Sequence, residues 1–155
     1  MAVNRGKQFE QVIRESFNRV PNTNVTRLAD DMGGFKGKSQ PCDFLIFHSP
    51  YLYAIECKSV HGNTFPLSNI TDNQWKGLQE MSTVNRVIAG VMIWFIDKDV
   101  TTFYSIKALK WFKEQGAKSI RFSDELFGIT IRMQGKKKRV FFEYDAEQFF
   151  REAEQ

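Results

Sequence analysis

The twelve residues from Phe44 to Ile55, FLIFHSPYLYAI, constrain the fold of this chain more than any other stretch. Two short apolar and aromatic runs, Phe44-Leu45-Ile46-Phe47 and Leu52-Tyr53-Ala54-Ile55, flank His48-Ser49-Pro50-Tyr51, which is the pattern of two strands and a turn. Side chains alternate along a strand. A turn centred on Ser49-Pro50 therefore puts Leu45, Phe47, Leu52 and Ala54 on one face and Phe44, Ile46, Tyr53 and Ile55 on the other. Both faces are apolar, so the hairpin belongs in a sheet covered on both sides. Pro50 fits poorly in a two-residue primed turn. A four-residue loop from His48 to Tyr51 keeps the same pairing, whereas a three- or five-residue loop breaks it.

That register sets Asp43 directly opposite Glu56. Like charges facing each other across a ladder repel unless something cationic lies between them, and a divalent metal is the simplest such group. Lys58 shares a face with Glu56 and Asp43, so its ammonium reaches the same point. Phosphodiester hydrolysis needs these types: a cation neutralises charge on the phosphate oxygens and lowers the pKa of the attacking water. Mg²⁺ prefers hard oxygen ligands and keeps several waters, so one or two carboxylates suffice to hold it. Lys58 either positions or deprotonates the water or stabilises the charge that builds on phosphorus, and the residues alone leave both roles open. Asp, Glu and Lys are also common at solvated strand ends. The setting gives these three their meaning, since charges at the ends of buried strands sit where binding clefts form.

A chain of 155 residues and 18.1 kDa is expected to form a single domain, residues 1–155, with a sizeable core. It has no apolar run of the roughly 18 residues needed to span a bilayer, and Met1 to Arg5 lacks the hydrophobic region of a signal peptide. A cytoplasmic protein with no membrane partner is expected. Cys42 and Cys57 fall opposite each other in the same register, which leaves a cross-strand disulfide open to geometry, but a reducing compartment favours free thiols. With His48 and His61 they do not give zinc-site spacing. The net charge of +4 and pI near 9.1 lean modestly towards an acidic partner such as nucleic acid.

Along the chain, Phe9, Val12, Ile13, Phe17 and Val20 recur at helical spacing, predicting a helix over residues 5–19 with one buried face. Glu10 flanks that stripe, either as an edge carboxylate, which the stripe alone favours, or as a third acid aimed at the site. A strand is expected over 25–29. Gly33 to Ser39 ends like a phosphate loop, but Met32 replaces its first glycine, and Pro41 and Asp43 follow where a helix should begin, so no nucleotide cofactor is expected. A glycine-rich loop carrying Lys36 and Lys38 beside Asp43 suits a nucleic-acid backbone, or is a plain solvated connection. Thr71 and Gln74 have capping-box spacing at the head of a helix running to about residue 84, with Trp75, Leu78 and Met81 or Ser82 on one face. Residues 87–96 read as a central strand buried on both faces, 102–106 as the next strand, and 107–115 as a helix ending at Gly116. Strands at 129–133 and 140–144 pair across a turn at 134–139, or the last is an edge. The run Lys136-Lys137-Lys138-Arg139 is a solvated turn or a tip that contacts a nucleic-acid backbone. Residues 145–154 form a final helix anchored by Phe149 and Phe150.

The spacing D-x12-E-x-K, set between a helix and strand before it and a helix and buried strand after it, resembles the PD-(D/E)xK nuclease superfamily. Within that group the chain is most similar to the RecU-type Holliday junction resolvases of Gram-positive bacteria and their phages. The similarity rests on Asn4-Arg5-Gly6 with Phe9-Glu10, on Pro41, Asp43, Glu56 and Lys58, and on Phe65-Pro66-Leu67 with Asn69 and Gln74, covering residues 4 to about 80. The resemblance implies an α/β, restriction-endonuclease-like fold with a central mixed sheet flanked by helices. It implies Asp43 and Glu56 as ligands of Mg²⁺ or Mn²⁺, Lys58 as the catalytic lysine, Glu10 and Gln74 as supporting groups, and DNA contacts from Arg5 as well as Lys36 and Lys38. It also implies a homodimer that makes paired nicks in branched, four-way DNA. The chain departs from the family pattern in three places. Cys42 stands where threonine, or a direct Pro-Asp pair, is usual; the segment 30–40 is short for the family's junction-inserting stalk; and the part after about Ala108 carries no matching motif. Two rivals stay open: an endonuclease of this fold acting on duplex, flap or a specific sequence, and a DNA-binding module that does not cleave.

Overall fold

The computed structural model describes residues 4–29, 40–125, 130–139 and 141–155. In chain order its first half comprises α1 (Arg5–Asn18), β1 (Thr23–Arg27), β2 (Phe44–His48), β3 (Tyr51–Val60), β4 (Thr64–Pro66) and α2 (Asp72–Ser82). The second half comprises β5 (Val87–Phe95), β6 (Val100–Ser105), α3 (Ile106–Glu114), β7 (Ser119–Arg121), β8 (Thr130–Arg132), β9 (Gly135–Lys138), β10 (Phe141–Tyr144) and α4 (Ala146–Ala153).

The hairpin forms in the expected register, with Phe44 opposite Ile55 and His48 opposite Tyr51. Its loop is the two residues Ser49-Pro50 rather than four, and the peptide between them is cis, which places Pro50 at the third position of a type VI turn. β1 pairs antiparallel with β2 two residues earlier than the expected 25–29, so that Arg27 lies opposite Phe44. β3 runs parallel to β5, with Glu56 opposite Val91 and Lys58 opposite Ile93. Parallel neighbours need a crossover, and α2 lies within it. β6 and β8 add antiparallel to give a six-stranded mixed sheet in the order β1-β2-β3-β5-β6-β8. This is the α/β architecture expected, a central mixed sheet with helices on both faces.

Phe9, Ile13 and Phe17 of α1 and Phe149 and Phe150 of α4 bury one face over Phe44, Ile46, Tyr53 and Ile55. The Phe17 ring meets Phe149 and Phe150 edge-on at 5.2 and 5.4 Å, and truncating so enclosed an aromatic costs about 3–5 kcal/mol. The other face carries Leu78 of α2 and Ile106 and Leu109 of α3 over Ala54, Val91, Ile93 and Phe95. Among the described residues this second cover is incomplete over the hairpin. α2 packs on β5 and β3, leaving Phe47 50% exposed and Leu45 and Leu52 half-buried.

The C-terminal third differs from expectation. β8 joins the main sheet beside β6, and the residues expected to form a turn are themselves strand β9, paired with β10. Charged residues tolerate this strand because all of β9 is exposed and Glu143 stands opposite Lys136. Tyr144 anchors the ribbon: its hydroxyl lies 2.6 Å from Thr101 Oγ1, and its backbone N–H donates to Ser16 Oγ at 3.1 Å. A further two-stranded sheet pairs β4 with β7 antiparallel, Phe65 opposite Ile120.

Candidate active site

The site forms where the β2–β3 ladder loosens. Asp43 precedes β2; its carbonyl accepts the Leu28 N–H at 2.8 Å and its own N–H donates to Ile55 O at 3.2 Å. Its carboxylate then takes the N–H of Cys57 on Oδ2 at 2.8 Å, which fixes the acid against the residue after Glu56. Pro41 is pressed onto α2 at Gly77, where a Cβ would stand 2.3 Å from Pro41 Cβ. Strand alternation therefore ends before Cys42, which turns into the α2-side core while Cys57 packs on the α1 side. The cross-strand disulfide that the register left open does not form, and both thiols are free.

Glu56 is only 6% exposed. Its Oε2 accepts from Gln74 Nε2 at 2.9 Å and lies 3.3 Å from Lys58 Nζ. Gln74 also completes the capping box, its Oε1 accepting the Thr71 N–H at 3.0 Å while Thr71 Oγ1 accepts the Gln74 N–H at 3.2 Å. One side chain therefore serves both readings that its position allowed. From the α1 side Glu10 approaches Asp43 through Arg27, whose Nη2 is 2.8 Å from Glu10 Oε1 and 3.7 Å from Asp43 Oδ1. The other guanidinium arm donates to the Leu28 carbonyl. Three carboxylates thus stand together with Asp43 between Glu10 and Glu56, Arg27 beside Glu10 and Asp43, and Lys58 beside Glu56.

Crowding and burial govern their charge. Burial, and then the neighbouring Asp43, push the Glu56 carboxyl up to about 8, with Lys58 pulling the other way. Glu10 is raised by burial and then by Asp43, with Arg27 opposing. Burial also pushes the Cys42 thiol up to about 12 and raises Cys57, so neither is a reactive thiolate.

The donor set fits a hard divalent cation. All three acids offer oxygen, and Glu10 Oε1 is buried with Arg27 Nη2 at 2.8 Å. A cation reverses the repulsion that raises Glu56. Among the described residues no three His, Cys, Asp or Glu side chains are already gathered as a metal cage. Mg²⁺ needs none, since it is held by one or two carboxylates plus waters. A groove of about 600 Å³ leads away from Asp43 along α1, lined by Glu10, Arg27, Lys7, Gln11 and Arg14.

Of the residues singled out from the sequence, the fold brings together Glu10, Asp43, Glu56, Lys58 and Gln74. Arg5 opens α1, capped by the Asn4 side chain, which accepts the Lys7 N–H at 3.1 Å. Five positions separate Arg5 from Glu10, roughly 140° around the helix, and Arg5 does not line the groove. Lys36 and Lys38 lie outside the described residues. Arg27 was missed, and its signal was register: had β1 been ended at Arg27, its pairing opposite Phe44 would have put it beside Asp43.

Comparison with known proteins followed the same lines. No curated protein sequence matches the chain. Among solved structures, the Holliday junction resolvase Hjc from the archaeal hyperthermophile Archaeoglobus fulgidus is similar over 66% of this chain and 78% of that one, with 17% sequence identity and a TM-score of 0.49. The family assignment rests elsewhere, on the family model described as RecU, Recombination protein U, which matches residues 31–138. That match spans more than two thirds of the sequence and includes Asp43, Glu56, Lys58 and Gln74; the chain belongs to the RecU family.

Proposed function

We propose that this protein is a metal-dependent endonuclease that resolves four-way DNA junctions by paired nicks, acting as a homodimer in the cytoplasm. The observation that carries the reading is the convergence of Asp43, Glu56, Lys58 and Gln74 at one end of the sheet in a chain of the RecU family. Mg²⁺ or Mn²⁺ held by Asp43 and Glu56 supplies charge neutralisation at the phosphate and a more acidic attacking water. The Cys57 N–H fixes the orientation of Asp43, and the Gln74 amide fixes that of Glu56. Lys58, an ammonium beside a carboxylate, donates to a phosphate oxygen as negative charge builds on it, an electrostatic role. Glu10 completes the acidic cluster from α1, and Arg27 holds it against Asp43. Lys36, Lys38 and Arg5 contribute to holding the DNA backbone. Two nicks in strands of like polarity require two sites, which a two-fold homodimer provides.

The test is cleavage of a four-way junction, a linear duplex of the same sequences and a flap, each with Mg²⁺, Mn²⁺ or EDTA. Symmetrical nicks confined to the junction, lost in EDTA and in Lys58→Ala, are expected. Broad cutting moves the substrate to ordinary duplex or flaps, and binding without cutting makes the protein a DNA-binding module. Full activity in Asp43→Asn would overturn the site.

A further inference from the structure

The run Lys136-Lys137-Lys138-Arg139 is not used by the site described above. It forms one strand and the tip of the β9–β10 ribbon, and all four residues are exposed. Alternation divides them. Lys137 lies opposite Phe142 on the face that packs inward, where Phe142 stacks on Tyr144 at 5.8 Å, and its ammonium is 2.5 Å from Asp99 Oδ2. That contact ties the ribbon to the turn between β5 and β6. Lys136 and Lys138 point to the opposite, outer face, and Arg139 occupies the tip with φ of 47°. Arg19 adds a fourth cation at 3.6 Å from Glu143, which also lies 3.8 Å from Lys138. The outer face therefore carries four cations about Glu143, with Asp145 and Glu147 at its base beside Arg19 and Lys136. Gly135 lets the two strands close at the base of the ribbon, since a Cβ there would stand 2.4 Å from Glu143 O.

The ribbon's place in the fold gives this face a direction. β8 runs antiparallel to β6, and Met133 continues that pairing by donating to Thr101 O at 2.8 Å. The chain is then heading towards the end of the sheet where β5 finishes and β6 begins. β3 is parallel to β5 and paired through Val60 opposite Phe95, so this is also the end that carries Glu56 and Lys58. The ribbon, a separate two-stranded sheet, sits on the α1 side of that end: the Tyr144 N–H donates to Ser16 Oγ, Glu143 lies 3.6 Å from Arg19, and Lys137 ties it to Asp99 in the turn after β5.

We infer that the outer face of the β9–β10 ribbon, through Lys136, Lys138 and Arg139, is a second DNA-backbone site that holds an arm of the substrate at the end of the sheet that carries the cleavage centre, while Lys137 is the structural anchor of the ribbon. The inference rests on the reading of the protein as DNA-acting, but its test does not depend on cleavage. Binding to a fluorescent four-way junction is measured in EDTA from 50 to 200 mM salt for wild type, for Lys136→Ala/Lys138→Ala/Arg139→Asn, and for Lys137→Ala. Asn is chosen at 139 because it tolerates positive φ, and far-UV and thermal melts verify each fold. Removing three phosphate contacts lowers the slope of log K against log salt by up to ~3, so across that range the triple variant loses roughly 40-fold less affinity than wild type. Lys137→Ala changes the slope by less than half as much and instead lowers the melting temperature. A wild-type slope in a folded triple variant, or an equal loss of slope in Lys137→Ala, overturns the inference. If wild type cuts no DNA and the triple variant still flattens the slope, the nuclease reading fails and the ribbon site stands. If wild type cuts junctions and the slope is unmoved, the reverse holds.

Discussion

Removing the charge of Asp43 should stabilise the metal-free protein while destroying its activity. Glu56 is 6% exposed and faces Asp43, and its carboxyl is pushed up to about 8, first by burial and then by that neighbour. In the unfolded chain it ionises near the ordinary carboxylate value of 4.5. Between these values the folded protein holds a proton that the unfolded chain has released, so stability is complete below pH 4.5 and declines as pH rises towards 8. The decline is a little over ~1 kcal/mol per pH unit, with an upper bound of ~5 kcal/mol across the window. Asp43→Asn keeps an oxygen to accept the Cys57 N–H, leaves the burial of Glu56 in place, removes the charge that is the second cause of the shift, and gives up only a 3.7 Å ion pair with Arg27. Its Glu56 should ionise at lower pH than in wild type, so the variant loses less stability over the window.

Taking the Asp43 contribution as ~1–2 kcal/mol, the variant should melt several degrees above wild type at pH 8 in EDTA, since 1 kcal/mol moves the midpoint of a domain of this size by ~2–4 °C. At pH 4.5 the two should converge. Added Mg²⁺ should raise the wild-type midpoint by mass action and leave Asp43→Asn unmoved. Calorimetry or circular dichroism melts at pH 4.5, 6.5 and 8, with EDTA and with Mg²⁺, measure all of this. If Asp43→Asn in EDTA melts at or below wild type at pH 8 with the same dependence on pH, the two carboxylates do not repel and the electrostatic account of the site is refuted.

Gln74→Ala keeps Thr71 as the cap but loses the bond back to the Thr71 N–H and the donor to Glu56, so it should lose ~1 kcal/mol of stability as well as activity. Gln74→Glu keeps the acceptor for Thr71 but faces Glu56 with a carboxylate, so melts and cleavage assays should show stability near wild type at low pH and activity lost. Gly77→Ala should gain helix propensity of up to ~1 kcal/mol, yet it drives a Cβ to 2.3 Å from Pro41; a net loss of stability with impaired cleavage is expected, and a stabilised, fully active variant would contradict that packing. Cys42 and Cys57 should resist iodoacetamide at pH 7.5 in the folded protein and react on unfolding, as mass spectrometry would show.

What could be read in the sequence was what local chemistry dictates. The hairpin register followed from alternation and a short loop, and Gln74 from its spacing to Thr71; both hold in the structure. Glu10 is different, because its place beside the apolar stripe of α1 does not say which neighbour it meets, and only the family resemblance recruited it. Arg27 and the divergence of Cys42 from Cys57 depend on where strands begin and end, and one or two residues there change a side chain's face. The β9–β10 ribbon was hidden for a related reason. Four consecutive cations look like a turn until a partner strand supplies Glu143 and the buried Tyr144 that hold them extended.

The separation of the two key carboxylates is not set by the hairpin alone. Asp43 is held at the end of the ladder by Leu28, Ile55 and the Cys57 N–H, and α2 adds a second constraint: Gln74 and Gly77, three positions apart and so on one helical face, touch Glu56 and Pro41 respectively. Leu78, fully buried beside them, sets the rotation of that helix against the sheet. A shift of α2 would therefore move the support of Glu56 and the packing of Pro41 together, altering both ends of the proposed metal-binding pair at once. The catalytic spacing is consequently a property of core packing between a helix and the sheet, and substitutions at Leu78 should reach the site without touching either acid.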